Sequence, residues 1–215
     1  MKIVQIADVH IKNLVYHDVY RDVFSQLYSA LEEEKPDYAV ICGDIAHTKL
    51  NISPEFVEMA TNFFKNIADR TKLIIMLGNH DLNLKATSRQ DAISPIIQAL
   101  NHPNITLKKY SGEICFDDVT FNILSPVDKQ NWGRPTNPKA LNIAVYHGTI
   151  GESRVDTGFL LDSEDETNVL FGNDYALLGD IHKKQKILEQ GWQEKYVNEA
   201  DLEKYIQQGW EIINE

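Results

Sequence analysis

The stretch PDYAVICGDIAHT, residues 36–48, joins a buried-strand pattern to a cluster of polar side chains. Its apolar run YAVIC (38–42) is typical of a strand that is covered on both faces. Gly43, Asp44 and His47 follow the run directly. Because functional sites of open α/β sheets lie at the carboxyl ends of the strands, this stretch predicts a central strand and also the place where its chemistry is found.

Similar apolar runs alternate with helical patterns on both sides of this strand. IVQIA (3–7) and LIIML (73–77) are typical of strands, and helices are predicted over roughly 17–34, from Ser53-Pro54 onward, and over about 90–101. Beyond Asn101 the apolar segments are mostly strand-like: ITLKKY, EICF, VTFNIL, LNIAVY and YALL. The pattern predicts an α/β fold whose sheets are partly parallel, partly antiparallel and flanked by helices.

Side chains suited to metal binding follow five of these runs. They are Asp8 with His10, Asp44 with His47, the segment Asn79-His80-Asp81, His147, and Asp180 with His182. Each cluster alone has an ordinary explanation, because Gly-Asp pairs are common in turns and a single histidine is more often structural. Together they supply carboxylates, an amide and several imidazoles, a set that suits Mn²⁺, Fe²⁺ or Zn²⁺. These ligands exceed the needs of one ion, so a site for two ions is predicted.

The order of the clusters resembles a known family. The patterns D-x-H, G-D-x-x-H, G-N-H-D, H-G and G-x-x-H are similar to the five motifs of the calcineurin-like metallophosphoesterases. Within that superfamily, the chain resembles the Mre11/SbcD-type DNA repair nucleases, particularly phage-type recombination nuclease subunits, through IADVHI, Arg21-Asp22-x-Phe24, PDYAVICGDIAHT, LGNHDL and LLGDIHKKQ. The resemblance implies a four-layer α-β-β-α sandwich of two mixed sheets flanked by helices.

The resemblance also implies a role for each residue of the site. Two overlapping sets would hold the two ions: Asp8, His10, Asp44 and His182 for one, and Asp44, Asn79, His147 and Asp180 for the other. His80 would protonate the leaving alkoxide, and His47 would position or stabilise the phosphate. The implied cofactors are two divalent metal ions, with Mn²⁺ expected and Mg²⁺, Fe²⁺ or Zn²⁺ as alternatives.

Two features depart from the family pattern. The last motif of the family is G-H-x-H, whereas this chain has Gly179-Asp180-Ile181-His182. A carboxylate favours hard ions, so we expect Asp180 to be a true ligand and the enzyme to prefer Mn²⁺. The metallophosphoesterase domain is expected over 1–187, and residues 188–215 resemble neither the capping domain nor the ATPase-binding segment of the family. This acidic Gly-Trp-containing tail is expected to form one short helix, at 198–208.

Composition narrows the classes of protein that fit. The formal net charge is −11, which argues against a broad basic nucleic-acid footprint but leaves room for an enzyme that binds DNA through cations. Cys42 and Cys115 are isolated, as expected of reduced thiols in a cytoplasmic protein, in the host cytoplasm if the source is viral. No stretch is long and apolar enough for a membrane span or resembles a signal peptide, so no membrane partner is expected.

Three functions fit these observations. The leading one is a dimetal-dependent DNA nuclease with 3′→5′ exonuclease and single-strand endonuclease activity, for which Trp132, Arg134, Lys139 and Arg154 are candidate DNA contacts. The second is a phosphodiesterase or phosphatase acting on nucleotides or other small molecules. The third is a catalytically weak partner-binding module. The resemblance implies DNA as partner, together with a Rad50/SbcC-like ATPase and a homodimer.

Overall fold

The chain alternates strands and helices in its first half and is mostly strands in its second half. The computed structural model describes residues 1–151, 153–154, 159–160, 165–182 and 211–214. The elements in chain order are β1 (Lys2–Ile6), α1 (His17–Glu34), β2 (Tyr38–Cys42), α2 (Pro54–Ala68), β3 (Lys72–Met76), α3 (Ser94–Leu100), β4 (Ile105–Lys108), β5 (Gly112–Phe116), β6 (Val119–Leu124), β7 (Leu141–His147), β8 (Tyr175–Gly179) and β9 (Glu211–Asn214). Two short 3-10 helices cover Lys129–Asn131 and Thr167–Leu170.

The strands form two mixed sheets. The first has the order β4-β3-β2-β1-β9, in which β9 alone runs antiparallel to its neighbour. The second has the order β5-β6-β7-β8, in which β5 and β6 form an antiparallel hairpin and the other pairs are parallel. The predicted α/β class with two mixed sheets is confirmed.

Apolar side chains pack in three layers around these sheets. One face of the first sheet is covered by α1, α2 and α3, through a core that includes Phe24, Phe63 and Ile96. The other face packs against the second sheet, because alternate strand residues such as Val40 and Val145 point between the sheets. Within the described residues, the outer face of the second sheet is covered by loops and 3-10 turns, which contribute Leu170 and Trp132.

Local chemistry explains where the helices begin and end. Ser53 caps α2 by accepting a hydrogen bond from the backbone N–H of Phe56, and Pro54 occupies the first helical position. The predicted helix at 90–101 is shorter than expected, because the Asp91 carboxylate accepts from the N–H groups of Ile93 and Ser94 and holds this segment as a cap. Among the described residues, no helix combines the length and apolar character needed to cross a membrane.

The carboxyl-terminal segment contributes a strand that the sequence reading missed. β9 pairs antiparallel with β1, with Lys2 opposite Asn214 and Gln5 opposite Glu211. The short helix expected at 198–208 lies outside the described residues.

Candidate metal centre

Nine of the predicted residues meet at one edge of the molecule. Strands β1, β2 and β3 of the first sheet and β7 and β8 of the second lead into this edge. The residues gathered there are Asp8, His10, Asp44, His47, Asn79, His80, His147, Asp180 and His182. Because parallel strands end side by side, the loops that follow them are brought together although they are far apart in sequence.

The buried pair Asp44 and His147 lies at the centre of the site. Asp44 Oδ1 is 3.3 Å from His147 Nε2, and His147 Nδ1 lies 2.7 Å from the carbonyl oxygen of Cys42. A carbonyl only accepts hydrogen bonds, so Nδ1 donates and Nε2 faces the carboxylate. This second contact fixes the orientation of the ring, as is usual for metal-binding histidines.

The charges of this pair are strongly coupled. Burial raises the pKa of Asp44, but the hydrogen bond and charge of His147 outweigh burial and hold the pKa below its ordinary value. Burial lowers the pKa of His147, but the hydrogen bond and charge of Asp44 outweigh it and raise the pKa to about 9. Without metal, protonated His147 thus supplies the positive charge beside Asp44. A metal ion that binds His147 must displace this proton.

Asn79 brings an amide group to the same centre. Its Oδ1 lies 3.0 Å from His147 Nε2 and faces the carboxylate of Asp44. Rotating the amide by half a turn would let its nitrogen donate to Asp44 Oδ2 and Oδ1 at 3.1 and 3.2 Å. In the first orientation several lone pairs converge on one point, which is the arrangement that a cation would stabilise.

The remaining side of the site is formed by Asp8 of the first motif and by Asp180 and His182 of the last motif. Both carboxylate oxygens of Asp8 accept from the backbone N–H of Asp180 at 3.0 Å, and Asp8 Oδ1 is 3.9 Å from His182 Nε2. Asp180 Oδ1 lies 3.9 Å from His147 Nε2. Burial raises the pKa of Asp8, opposed by the charge of His147. Asp180 therefore lies within reach of the centre, at the position where the resemblance implied an imidazole.

The ligand atoms come close enough to share ions. Those of three groups lie within 4.8 Å of one another: Asp8, Asp44 and His147; Asp8, His10 and His182; and His10, His47 and His80. Asp8 is common to the first two groups, whereas the resemblance implied Asp44 as the shared ligand. The mixed oxygen and nitrogen donors are those that Mn²⁺, Fe²⁺ or Zn²⁺ accept.

His10 is held in the form that a metal ligand needs. Its Nδ1 is buried and has no hydrogen-bond partner among the described residues, while its Nε2 is 3.7 Å from Asp44 Oδ2. Burial lowers its pKa, so the imidazole is neutral near pH 7. The nitrogen that faces Asp44 is Nε2, so Nε2 is the atom that would bind an ion.

The backbone of this site is strained at its ligands. Asp8, His10, Asp44 and Asp180 have φ values of 54°, 47°, 55° and 75°. The left-handed region costs about 1–3 kcal/mol for a residue other than glycine and persists where the surroundings fix the backbone. One such contact is the hydrogen bond from the His10 N–H to the Asp44 carbonyl at 3.0 Å.

His80 and His47 form the solvent-facing rim. His80 Nδ1 lies 2.8 Å from the His47 carbonyl, so Nδ1 donates and Nε2 is left for proton transfer. The backbone N–H of His80 donates to Asp44 Oδ1 at 2.8 Å, which places the ring beside the central carboxylate. The His80 and His10 ring centroids are 4.8 Å apart, whereas His47 is exposed.

Three glycines make room for the centre. A Cβ atom on Gly179 would lie 2.6 Å from His147 Nδ1 and would overlap the Cys42 carbonyl. On Gly78 it would lie 2.5 Å from the Asp44 N and 2.7 Å from His147 Nε2, and on Gly43, whose φ is 88°, it would lie 2.7 Å from His147 Cγ. The Gly-Asp and Gly-Asn pairs are therefore packing requirements and not only turns.

Three residues support the centre in roles that the sequence did not predict, although Asp81 belongs to one of the predicted clusters. The buried carboxylate of Asp81 accepts from the N–H groups of Gly78, Ala46 and Ile45 at 3.0, 2.8 and 3.3 Å, which ties the end of β3 to the loop after β2. Tyr20 donates its hydroxyl hydrogen to the His10 carbonyl at 2.7 Å, and Lys49 donates to the Asn79 carbonyl at 2.7 Å. Asp81 stands beside His80 in sequence, but no local pattern marks Tyr20 or Lys49.

The candidate DNA contacts have other neighbours. Trp132 donates its indole N–H to the Ser125 carbonyl and packs edge-on against Tyr146. The Arg134 stem lies beside Gly172, and the backbone N–H of Lys139 donates to the Asn137 side chain. Arg154 forms an isolated antiparallel bridge with Leu160. Their role toward DNA stays a prediction.

Comparison with known proteins gives the family. The model of the calcineurin-like phosphoesterase family, Metallophos, matches residues 1–208. Protein R555 of Acanthamoeba polyphaga mimivirus is 34% identical over 202 residues, which cover 87% of this chain and 15% of that protein. The chain thus spans about a seventh of the length of this relative. The crystal structure of Pseudomonas putida nuclease MPE is similar over 74% of this chain and 66% of that chain, at 16% identity and a TM-score of 0.41. The family match over nearly the whole chain shows that it belongs to the calcineurin-like phosphoesterase family.

Proposed function

We propose that this chain is a dimetal-dependent phosphodiesterase that cleaves DNA, as a 3′→5′ exonuclease and single-strand endonuclease of the Mre11/SbcD type. Family membership supports a metal-dependent phosphoesterase. The observation that carries the proposal is the convergence of carboxylates, imidazoles and an amide on the buried Asp44–His147 pair. At the rim, the Nε2 of His80 has no hydrogen bond to any residue that the structure describes.

The openness of the rim favours a polymeric substrate. The His182 side chain is 56% exposed and that of Asp180 is 30% exposed, and His47 is exposed as well. Pockets for small molecules bury most of the ligand surface, whereas a long phosphodiester chain needs a surface that it can cross. We therefore favour DNA over small phosphodiesters as the substrate.

The residues divide the chemistry between them. Bound divalent ions would supply a nucleophilic water near neutral pH and charge neutralisation at the phosphate. Asp8, His10, Asp44, Asn79, His147, Asp180 and His182 would hold these ions, with Mn²⁺ favoured by the three carboxylates. His80, oriented by the His47 carbonyl, would transfer a proton through its Nε2 to the leaving oxygen.

A second candidate is a phosphodiesterase or phosphatase for nucleotides or other small molecules. The net charge of −11 favours it, because an acidic surface repels the DNA backbone. A catalytically weak partner-binding module is disfavoured by the complete set of ligand candidates, since a module without activity has no need of the strained backbone at Asp8, Asp44 and Asp180.

The deciding experiment is a cleavage assay on DNA labelled at the 5′ or the 3′ end, with Mn²⁺, Mg²⁺ and EDTA arms. Shortening from the 3′ end with Mn²⁺ supports the proposal, whereas hydrolysis of bis-p-nitrophenyl phosphate or cyclic nucleotides without DNA cleavage supports the second candidate. The matched pair His80→Ala and His102→Ala tests the active site, because the hydrogen bonds of His102 within the described part of the chain go to Asp69 and the backbone of Asn104. Equal inactivity of wild type and His80→Ala, with Mn²⁺ bound, would favour the binding module.

Assembly belongs to the same proposal. A homodimer and a paired ATPase partner are what the resemblance implies. Light scattering on the purified chain, alone and with a co-expressed ATPase of this type, tests both; a monomer that does not bind the ATPase would contradict both.

A further inference from the structure

Lys49 places a positive charge beside the metal centre. It lies two residues after His47, its side chain is half-buried, and its Nζ donates to the carbonyl oxygen of Asn79 at 2.7 Å. Among the described residues its Nζ forms no ion pair with a carboxylate, in contrast to Lys2 and Lys109, which pair with Glu34 and Asp91. A half-buried ammonium group without a carboxylate partner favours binding of an anion.

The contact with Asn79 links Lys49 to the catalytic rim. The peptide group between Asn79 and His80 accepts from Lys49 at its carbonyl and donates to Asp44 Oδ1 at 2.8 Å through its N–H. The His80 ring in turn donates to the carbonyl of His47. Lys49 therefore belongs to the pair of loops that carries both rim histidines.

The chemistry of the ammonium group defines its ligand. An ammonium has three N–H donors, and the described residues use one of them. We propose that Lys49 binds an anionic oxygen of the substrate phosphodiester at the rim formed by His47 and His80. The oxygen belongs either to the phosphate being cleaved or to its neighbour along the strand. This inference rests on the proposed function.

The test compares three variants of the full chain loaded with Mn²⁺. Lys49→Gln removes the charge, and Lys49→Arg keeps it. Lys65→Gln is the control, because Lys65 lies in the last turn of α2, about 16 Å along the helix from Pro54, and pairs with Asp69. Calorimetry with inorganic phosphate is expected to show about tenfold weaker binding for Lys49→Gln, the value of a charge-assisted hydrogen bond, and near-normal binding for the other two.

Calorimetry with Mn²⁺ and kinetics complete the test. Lys49→Gln should bind Mn²⁺ like wild type, and its KM should rise more than its kcat falls. A rise in KM for bis-p-nitrophenyl phosphate assigns the contact to the cleaved phosphate, and a rise for oligonucleotides alone assigns it to the neighbour. Unchanged phosphate binding together with an unchanged KM for oligonucleotides, or weaker Mn²⁺ binding of equal size, would overturn the inference. Phosphate binding needs no turnover, so failure of wild type to cleave DNA would count against the proposed function alone.

Discussion

Replacing Gly179 with alanine should disrupt the metal centre by displacing His147 and the Cys42 carbonyl. The added Cβ would overlap the Cys42 carbonyl and approach His147 Nδ1 to 2.6 Å, where real Cβ contacts are essentially never found. Those two groups share the 2.7 Å hydrogen bond that orients His147. Either the two partners have to separate or β8 has to move away from β2, and Asp180 directly follows the end of β8.

The expected loss of stability follows from these contacts. Overpacking of a close-packed site costs about 1–3 kcal/mol. Loss of a buried hydrogen bond that leaves its partners unsatisfied costs about 1–3 kcal/mol more. The sum of about 2–6 kcal/mol corresponds to a fall in Tm of roughly 5–20 °C for a domain of this size. Metal affinity should fall about 10- to 100-fold, as when a contact that orients a ligand is lost.

Urea unfolding in EDTA and calorimetry with Mn²⁺ measure the two effects separately. Gly133→Ala is the matched control, because a Cβ there meets nothing within 4 Å and its φ is not in the left-handed region. The control should unfold within about 0.5 kcal/mol of wild type. If Gly179→Ala matched the control in both stability and Mn²⁺ affinity, the account of why glycine stands here would be wrong.

Three further predictions concern groups around the site. Tyr20→Phe should weaken Mn²⁺ binding about three- to tenfold, because it removes the hydrogen bond to the His10 carbonyl; calorimetry against Tyr28→Phe, on the same helix, checks this, and equal affinities would refute it. Burial raises the pKa of Asp81 to about 6, so its contribution to stability is present below pH 4 and is lost as pH rises through about 6. The free energy of unfolding of metal-free wild type, measured with urea, should therefore fall relative to that of Asp81→Asn by up to about 3 kcal/mol between pH 4 and 7. A difference between the two that stays constant with pH would contradict this. Burial also raises the pKa of the Cys42 thiol, so iodoacetamide should modify only the other, exposed cysteine until the chain unfolds; two modified thiols in the native protein would count against the structure.

The fold was largely predictable because its signals are local. Runs such as YAVIC bury every side chain, and the spacing of Phe24, Leu27 and Leu31 marks the buried face of α1. The predicted site residues could be named for the same reason, since each follows a strand and parallel strands end at one edge. The predicted span of α1 agrees with the structure, and the ends of β1 and β3 differ by one residue.

The supporting contacts could not be predicted, since they depend on distances between segments far apart in the chain. Gly179 approaches Cys42 across 137 positions of sequence, and its lack of a side chain looks like turn chemistry until the two sheets are packed together. Tyr20 lies in α1, where the apolar periodicity of the sequence predicts packing against the core and gives no sign of a hydrogen bond to the site. β9 was not predicted because residues 211–214 are too few to show a periodic pattern. They form a strand by pairing with the edge of β1.

The division of the candidate ligands between the two sheets has a consequence for the life of the protein. Residues 8–80 supply four of the seven candidate ligands, and residues 147–182 supply the other three. A bound ion would therefore link the two parts of the chain. It would add about 2.7 kcal/mol to the free energy of unfolding when its free concentration is a hundred times its Kd. Scarcity of metal would then shorten the lifetime of the protein by opening it to proteases, so that supply of the ion would set the abundance of the enzyme along with its activity.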